Sequence, residues 1–500
     1  MKHAVVIGSG FGGLSAAGYL ARAGYDVTVV EKNSWVGGRA RVLERDGFRF
    51  DMGPSWYWMP GEHDNWFRDM GVERSDYYEI RRVDPSYKVF YGETEPREER
   101  NVLTMPADLG EAQRIFEEYE PGAGKRLEEY LEDCRKKYEL AMATYIYKNY
   151  NTLFDFISWK TIRNLGTLNI ARSYKGMINK YFSHPYLKKV LEFPVVFLGS
   201  SARTTPAVYT LMNYIDFVLG TWYPSGGFGR VVEAMMEVVQ SLGVEFRFST
   251  PAKELKVADG RVTHVVCESP DGEIEIPAEV VVANADYHHV EQDLLPPESR
   301  SFSAESWDRR SLAPGVINFY VGLNKKFESF VHHTFFFDSD WEGHFKAVYE
   351  KPDWLEKPLF YIHVPSITDP SSAPEEKEAV FILVPIAPGL EENEEIRQRY
   401  FDDVVERIER LTGESFREHI EFVQSYSLTD FEEDYNAFKG NAFGLGQTLF
   451  QTAYFRTANH SRKVSNLYFA GHYTVPGTGT TMSTISGNVV AQRIVQEQPV

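Results

Sequence analysis

Hydrophobic positions follow two periods along this chain, and the points where the period changes mark its elements. Lys2 to Ile7 ends in a continuous apolar run and reads as a short buried strand. Leu14 to Ala23 carries small and apolar residues at helical spacing, and Tyr25 to Val30 reads as a second strand. A comparable succession returns later. Pro224 to Gly229 reads as a turn, an apolar-periodic helix continues through Leu242, and Val244 to Phe248 reads as a strand. Strands are predicted at Val262 to Glu268 and Glu273 to Ile276 around a turn at Pro270 to Gly272, followed by a buried strand opening Val280 to Asp286. Near the end come a strand at Leu467 to Ala470, a glycine-rich loop and a helix from about Thr484.

Two insertions of different character separate these segments. Residues 101–222 are mostly helical in pattern, whereas residues 298–455 mix alternating runs, at Val316 to Leu323 and Ala379 to Ala387, with a helix at Glu394 to Leu411. Ile396, Tyr400, Val404, Ile408 and Leu411 recur at helical spacing, and Gly413 is the expected stop. This second insertion reads as a sheet with helices packed on its back.

Chemistry enters between the first two strands. Gly8, Gly10 and Gly13 permit a tight turn, close approach of backbone to a pyrophosphate, and close packing of helix on strand, while the helix N-terminus offers N–H groups to phosphate. Glu31 ends the second strand, 21 positions after Gly10, where an acid accepts hydrogen bonds from ribose hydroxyls. NAD and FAD both satisfy this much. Gly37, Gly38 and Arg39 follow at once, and bare backbone with a cation this near the pyrophosphate suits a ligand whose far end continues into the protein, as a flavin does. The expected fold is therefore α/β, with a discontinuous Rossmann-type domain formed by residues 1–100, 223–297 and 456–500. Residues 101–222 form a helical subdomain for substrate access and membrane contact, and residues 298–455 a substrate domain of mixed sheet plus helices.

At 500 residues the chain exceeds what one core organises. A net charge of −19 excludes a protein that coats nucleic acid, which needs a basic surface. Cys134 and Cys267 stand far apart without a CxxC, so no disulfide framework and no cysteine metal site are expected, and a reducing compartment is. The first strand begins almost at Met1, so no secretory leader is expected, and no apolar stretch approaches the roughly 18 to 20 residues that span a bilayer.

GSGFGGLSAA at the start, FDMGPSWYWMP at Phe50 to Pro60, PAVYTLMNYIDFVLGTWYPSGG at Pro206 to Gly227, VVVANADYHH at Val280 to His289 and LYFAGHYTVPGTGT at Leu467 to Thr480 together resemble the bacterial-type phytoene desaturases. These are carotenoid desaturases of the FAD-dependent amine oxidase superfamily. The resemblance covers essentially the whole chain. It implies FAD as cofactor, with Gly8, Gly10, Gly12 and Gly13 around the pyrophosphate, Glu31 with Lys32 at the ribose, and Gly38 and Arg39 beside the phosphates. Gly53 and Pro54 are implied near the isoalloxazine, and Ala252 presents backbone to the adenine. Gly471 opens the tail loop, with Thr480, Thr481 and Met482 presenting N–H groups to the flavin pyrimidine edge. His472, where relatives carry alanine or an acid, and the Thr481–Met482 pair, in place of a proline-containing step, depart from the pattern.

The implied activity is stepwise desaturation of phytoene toward lycopene, by hydride transfer to flavin and loss of a proton, with a quinone or oxygen as electron acceptor. A 3,4-desaturase, a diapophytoene desaturase and a carotenoid isomerase or oxygenase are the related alternatives; an amine oxidase and a non-enzymatic lipid escort are the distant ones. Such chemistry belongs chiefly to the cofactor and asks the protein to position a hydrocarbon and exclude water. In keeping with that, the sequence shows no nucleophile elbow, no HExxH and no metal cluster. Asp155, an acid inside the aromatic LFDFISW, is the candidate catalytic residue; His184, His288 and His289 read as structural, and Trp56, Tyr57 and Trp58 as candidate channel lining.

Between Leu153 and Val190, Lys160, Arg163, Arg172, Lys175, Lys180, Lys188 and Lys189 face only Asp155, interleaved with apolar residues such as Trp159, Met177, Ile178 and Phe182. A basic, aromatic surface suits an anionic bilayer, from which a carotenoid would enter. The expected location is cytoplasmic, peripheral on the inner face of the cell membrane.

Overall fold

The computed structural model describes residues 1–92, 101–150, 165–169 and 172–500. Five parallel strands form its nucleotide-type sheet, in the order Leu467–Phe469, Val280–Ala283, His3–Ile7, Asp26–Val30 and Glu245–Arg247. Three distant parts of the chain thus meet in one sheet, with Val5 paired to both Val281 and Thr28. Both faces of the central strand are buried, which explains its continuous rather than alternating apolar run. Ala4 and Val6 point to the helices Phe11–Arg22, Gly227–Ser241 and Thr480–Glu497, while Val5 and Ile7 point to an antiparallel sheet of Ala252–Ala258, Arg261–Ser269 and Gly272–Pro277. The last helix starts at Thr480, ahead of the position expected from apolar spacing, because Gly479 at φ +113° turns the chain directly into it.

The second sheet has seven strands, in the order Ile420–Tyr426, Gly315–Leu323, Glu378–Ile386, Phe360–His363, His333–Phe337, Tyr87–Tyr91 and Val102–Met105. Of its last two strands, Tyr87–Tyr91 comes from the first segment and Val102–Met105 from the start of the stretch read as helical, a connection the sequence pattern does not show. Helix Glu394–Thr412 covers one face through Tyr400, Val404 and Ile408 and ends at Gly413, which takes φ +74° as its stop. The opposite face packs on the helical region, which includes Leu109–Tyr119, Ala123–Ala141, Tyr174–Tyr181 and Pro185–Glu192.

Part of the basic, aromatic stretch is absorbed into this packing. Met177, Ile178 and Phe182 are core residues, Lys175 pairs with Glu342, and Lys189 lies over the Trp341 ring. An amphipathic membrane face built on those residues is therefore corrected: their apolar side chains fill the interior. Arg172 and Lys180 remain exposed. Lys160 and Arg163 lie outside the described residues, as does Asp155. No described helix is long and apolar enough to cross a membrane.

Candidate active site

A cavity of about 470 Å³ runs from the parallel sheet to the face of the seven-stranded sheet. Every residue implied for cofactor contact lines it except Gly13, which lies behind the wall. A Cβ on Gly13 would sit 2.0 Å from the Gly8 carbonyl oxygen, so only glycine lets the helix pack this close to the strand end. A Cβ on Gly12 would come 2.9 Å from the Gly471 nitrogen, and this near-contact joins the first chain segment to the last. Asn284 closes the same corner, donating from Nδ2 to the Ala470 carbonyl at 3.1 Å and packing against the glycines. Its role was not apparent in the sequence, where it only follows an apolar strand.

Glu31 is buried at the cavity edge. Its Oε2 accepts from the Ser9 amide at 2.8 Å and the Ser9 hydroxyl at 2.7 Å, and its Oε1 accepts from the Asn33 amide at 3.0 Å. Lys32 turns away to the Glu433 carbonyl and Asn436. Ala252 lines the cavity at the start of its strand.

Positive charge is concentrated along the middle of the cavity. The Arg39 guanidinium donates to the Asn441 carbonyl at 3.3 Å and lies over the Tyr435 ring, yet its buried Nε has no partner and no described carboxylate pairs with it. Helices Phe11–Arg22 and Thr480–Glu497 both begin at this cavity without a side-chain cap and without an acid in the first turn, leaving N–H groups and positive partial charge for a ligand. Burial, reinforced by Arg39 and Arg456, pushes the His472 imidazole well below its ordinary pKa and keeps it neutral. These features call for an anionic, acceptor-rich ligand.

Beyond Gly53 and Pro54 the lining becomes apolar. Trp56, Trp58, Phe197, Phe335 and Trp341 form much of its wall, whereas Tyr57 is fully buried and stacks on His63 at 4.5 Å. Lys32 is the only lysine among the described lining residues, and it stands at the nucleotide end. Behind this wall lie buried polar groups. Trp58 donates to Thr221 at 3.0 Å, Thr221 donates to Asp216 at 3.5 Å, and Tyr87 donates to Asp216 at 3.4 Å. Burial pushes the Asp216 carboxyl up to about 7, against the pull of Arg82 and its hydrogen bonds. Asp51, which accepts from the Gly229 amide and the Tyr223 hydroxyl, is likewise pushed up by burial, to about 6. Of the candidate histidines, His184 caps helix Pro185–Glu192, His288 stacks on Phe438 and His289 pairs with Asp293.

The profile described as flavin containing amine oxidoreductase matches residues 11–495. The chain is 41% identical over 498 residues to the carotenoid 3,4-desaturase of Haloarcula japonica, spanning 99% of this chain and 98% of that protein. The chain belongs to the flavin-containing amine oxidoreductase family, among its carotenoid desaturases. A second relative in this family, the zeta-carotene-forming phytoene desaturase of Myxococcus xanthus, is 31% identical over 99% of this chain and 94% of its own. An oxidoreductase from Methanosarcina mazei shares the family fold at a TM-score of 0.67, with 15% identity over 98% of this chain and 100% of that one. The cofactor of this flavin-containing oxidoreductase is FAD. The unpartnered Arg39 Nε, the two uncapped helix starts and the glycine corner fit its pyrophosphate.

Proposed function

We propose that this protein is an FAD-dependent carotenoid desaturase that introduces a 3,4 double bond into an acyclic, already conjugated carotenoid. The observation that carries the reading is the single cavity in which a nucleotide-type end runs directly into an aromatic wall. In this reading Gly8, Gly10, Gly12 and Arg39 hold the pyrophosphate and Glu31 the ribose. Ala252 meets the adenine through its backbone, Gly53 and Pro54 lie beside the isoalloxazine, and the amides of Thr480, Thr481 and Met482 face its pyrimidine edge. Bound FAD would supply the acceptor for a hydride from an allylic C–H bond, the neighbouring carbon losing a proton as the double bond forms, with a quinone or oxygen as the final electron acceptor. Trp56, Trp58 and Phe335 hold the polyene straight and keep water out, which is most of what such chemistry asks of a protein.

Phytoene is the second substrate reading, favoured by the 31% identity to a phytoene desaturase but set behind the 3,4 reading by the 41% identity. Purified protein incubated with FAD, a quinone and carotenoid-loaded liposomes separates the two by HPLC with visible absorbance. The 3,4 reading expects lycopene to yield longer-wavelength bands while phytoene stays colourless. Coloured products from phytoene alone would transfer the assignment to the second reading, and no product from either, with FAD bound, would remove both.

Access from a lipid surface is part of the proposal. Phe450 is 76% exposed and Phe455 44%, on a loop whose Thr452 meets Tyr209, a cavity-lining residue. Replacing both phenylalanines by serine is expected to reduce co-sedimentation with anionic liposomes several-fold while FAD content is unchanged. Undiminished pelleting would show that this loop is not the contact.

A further inference from the structure

Strands His333–Phe337 and Phe360–His363 pair antiparallel with His333 opposite His363. His332 completes a group of three buried imidazoles, with ring centroids 4.4, 4.7 and 5.5 Å apart. One nitrogen from each ring lies within 4.8 Å of the other two. Nε2 of His332 and Nε2 of His363 are separated by 3.2 Å. In the structure the two share a hydrogen bond at that distance; two nitrogens bound at 2.0–2.1 Å to one tetrahedral zinc ion stand about 3.3 Å apart, so the same spacing accommodates co-ligands once that proton is displaced. Nε2 of His333 has no partner, because its hydrogen bond is made from Nδ1 to the Tyr361 hydroxyl at 2.6 Å, and that hydroxyl in turn donates to Ser55 at 3.0 Å. None of the three lines the active-site cavity: His333 lies behind Trp56, which stacks on it at 3.9 Å.

We propose that His332, His333 and His363 bind one divalent transition-metal ion of the zinc class through their Nε2 atoms, as a structural site behind the cavity wall. An all-imidazole set selects zinc, cobalt, nickel or copper over magnesium and calcium, which take oxygen ligands. The Tyr361–Ser55 pair supplies the outer-shell partner that fixes the His333 tautomer and ring plane. The Tyr223 ring packs on His332 at 4.7 Å, and its hydroxyl donates to Asp51 at 3.1 Å, which holds that ring in place. The ion would clamp two strands of the large sheet to the segment carrying Ser55 and Trp56.

The test uses full-length protein without a polyhistidine tag. Elemental analysis is expected to find about one equivalent of zinc-class metal per chain, and His363→Gln to lose at least nine-tenths of it. Protein stripped with a chelator and titrated with Co2+ should develop tetrahedral visible bands that saturate at one equivalent, a readout that stands even if the variant does not fold. Less than a tenth of an equivalent of metal, together with no Co2+ bands, would overturn the proposal, as would metal content unaffected in a folded His363→Gln protein. None of these measurements depends on turnover, so the site and the desaturase reading stand or fall separately.

Discussion

Gly13→Val is expected to abolish FAD binding, giving colourless protein with a weakened fold. The added side chain would start 2.0 Å from the Gly8 carbonyl oxygen and 3.0 Å from the Asn284 Oδ1. Neither neighbour can retreat, since the Gly8 amide is bonded to Val30 at 2.8 Å and the Asn284 amide to Ile7 at 2.8 Å. Helix and strand must separate, and the corner that approaches the pyrophosphate opens with them. Gly61→Ala is the matched control: its Cβ meets nothing within 4 Å and it takes no positive φ, so flavin content should be unchanged. The ratio of flavin to protein absorbance, with circular dichroism on the same samples, measures both. Stoichiometric flavin in Gly13→Val would refute the placement of the pyrophosphate at this turn.

Asp216→Asn is expected to stabilise the protein at pH 8 and to change little near pH 4. Burial raises the folded-state pKa of Asp216 to about 7, above the value near 4 that it has in an unfolded chain. The folded state therefore binds the proton more tightly, and stability falls as pH rises from about 4 to about 7. Above that window the native protein holds a buried carboxylate, at a cost on the order of 4 kcal/mol for a shift of this size. Asparagine keeps an oxygen that can accept from Tyr87 and Thr221 while removing the charge. Thermal or urea unfolding of both proteins between pH 4 and pH 8 should show the gap opening with pH. A gap that is constant across this range would exclude titration of Asp216 as its cause.

Where the fold was legible in the sequence, one local pattern had one physical solution. The glycines from Gly8 to Gly13, flanked by apolar runs and followed by Glu31, gave strand, helix and strand in the observed order, and Gly413 stopped its helix where expected. Pairing between distant strands has no such local signature. Tyr87–Tyr91 lies parallel to His333–Phe337, so the large sheet begins well before the segment whose alternation announced it. The same limit applies to the histidines. His332 and His333 are neighbours in the chain, among apolar residues that single out neither, and only the antiparallel register brings His363 against them. Composition misled in the basic stretch, because a count of charges does not tell which side chains point inward; Met177, Ile178 and Phe182 do.

The near-contact of Gly12 with Gly471 also ties the cofactor corner to a contact of very long range. The first turn of the chain faces a loop and a helix more than 450 residues later, and Gly487 is so close that a Cβ on it would lie 2.5 Å from the Gly12 carbonyl oxygen. The front strand, helix and acid have one side that only helix Thr480–Glu497 closes. Long-range closures of this kind are slow, and until they occur apolar surface stays exposed. The corner offered to the pyrophosphate is therefore complete only when helix Thr480–Glu497 is packed against the first turn, so loss of that packing and loss of flavin should go together.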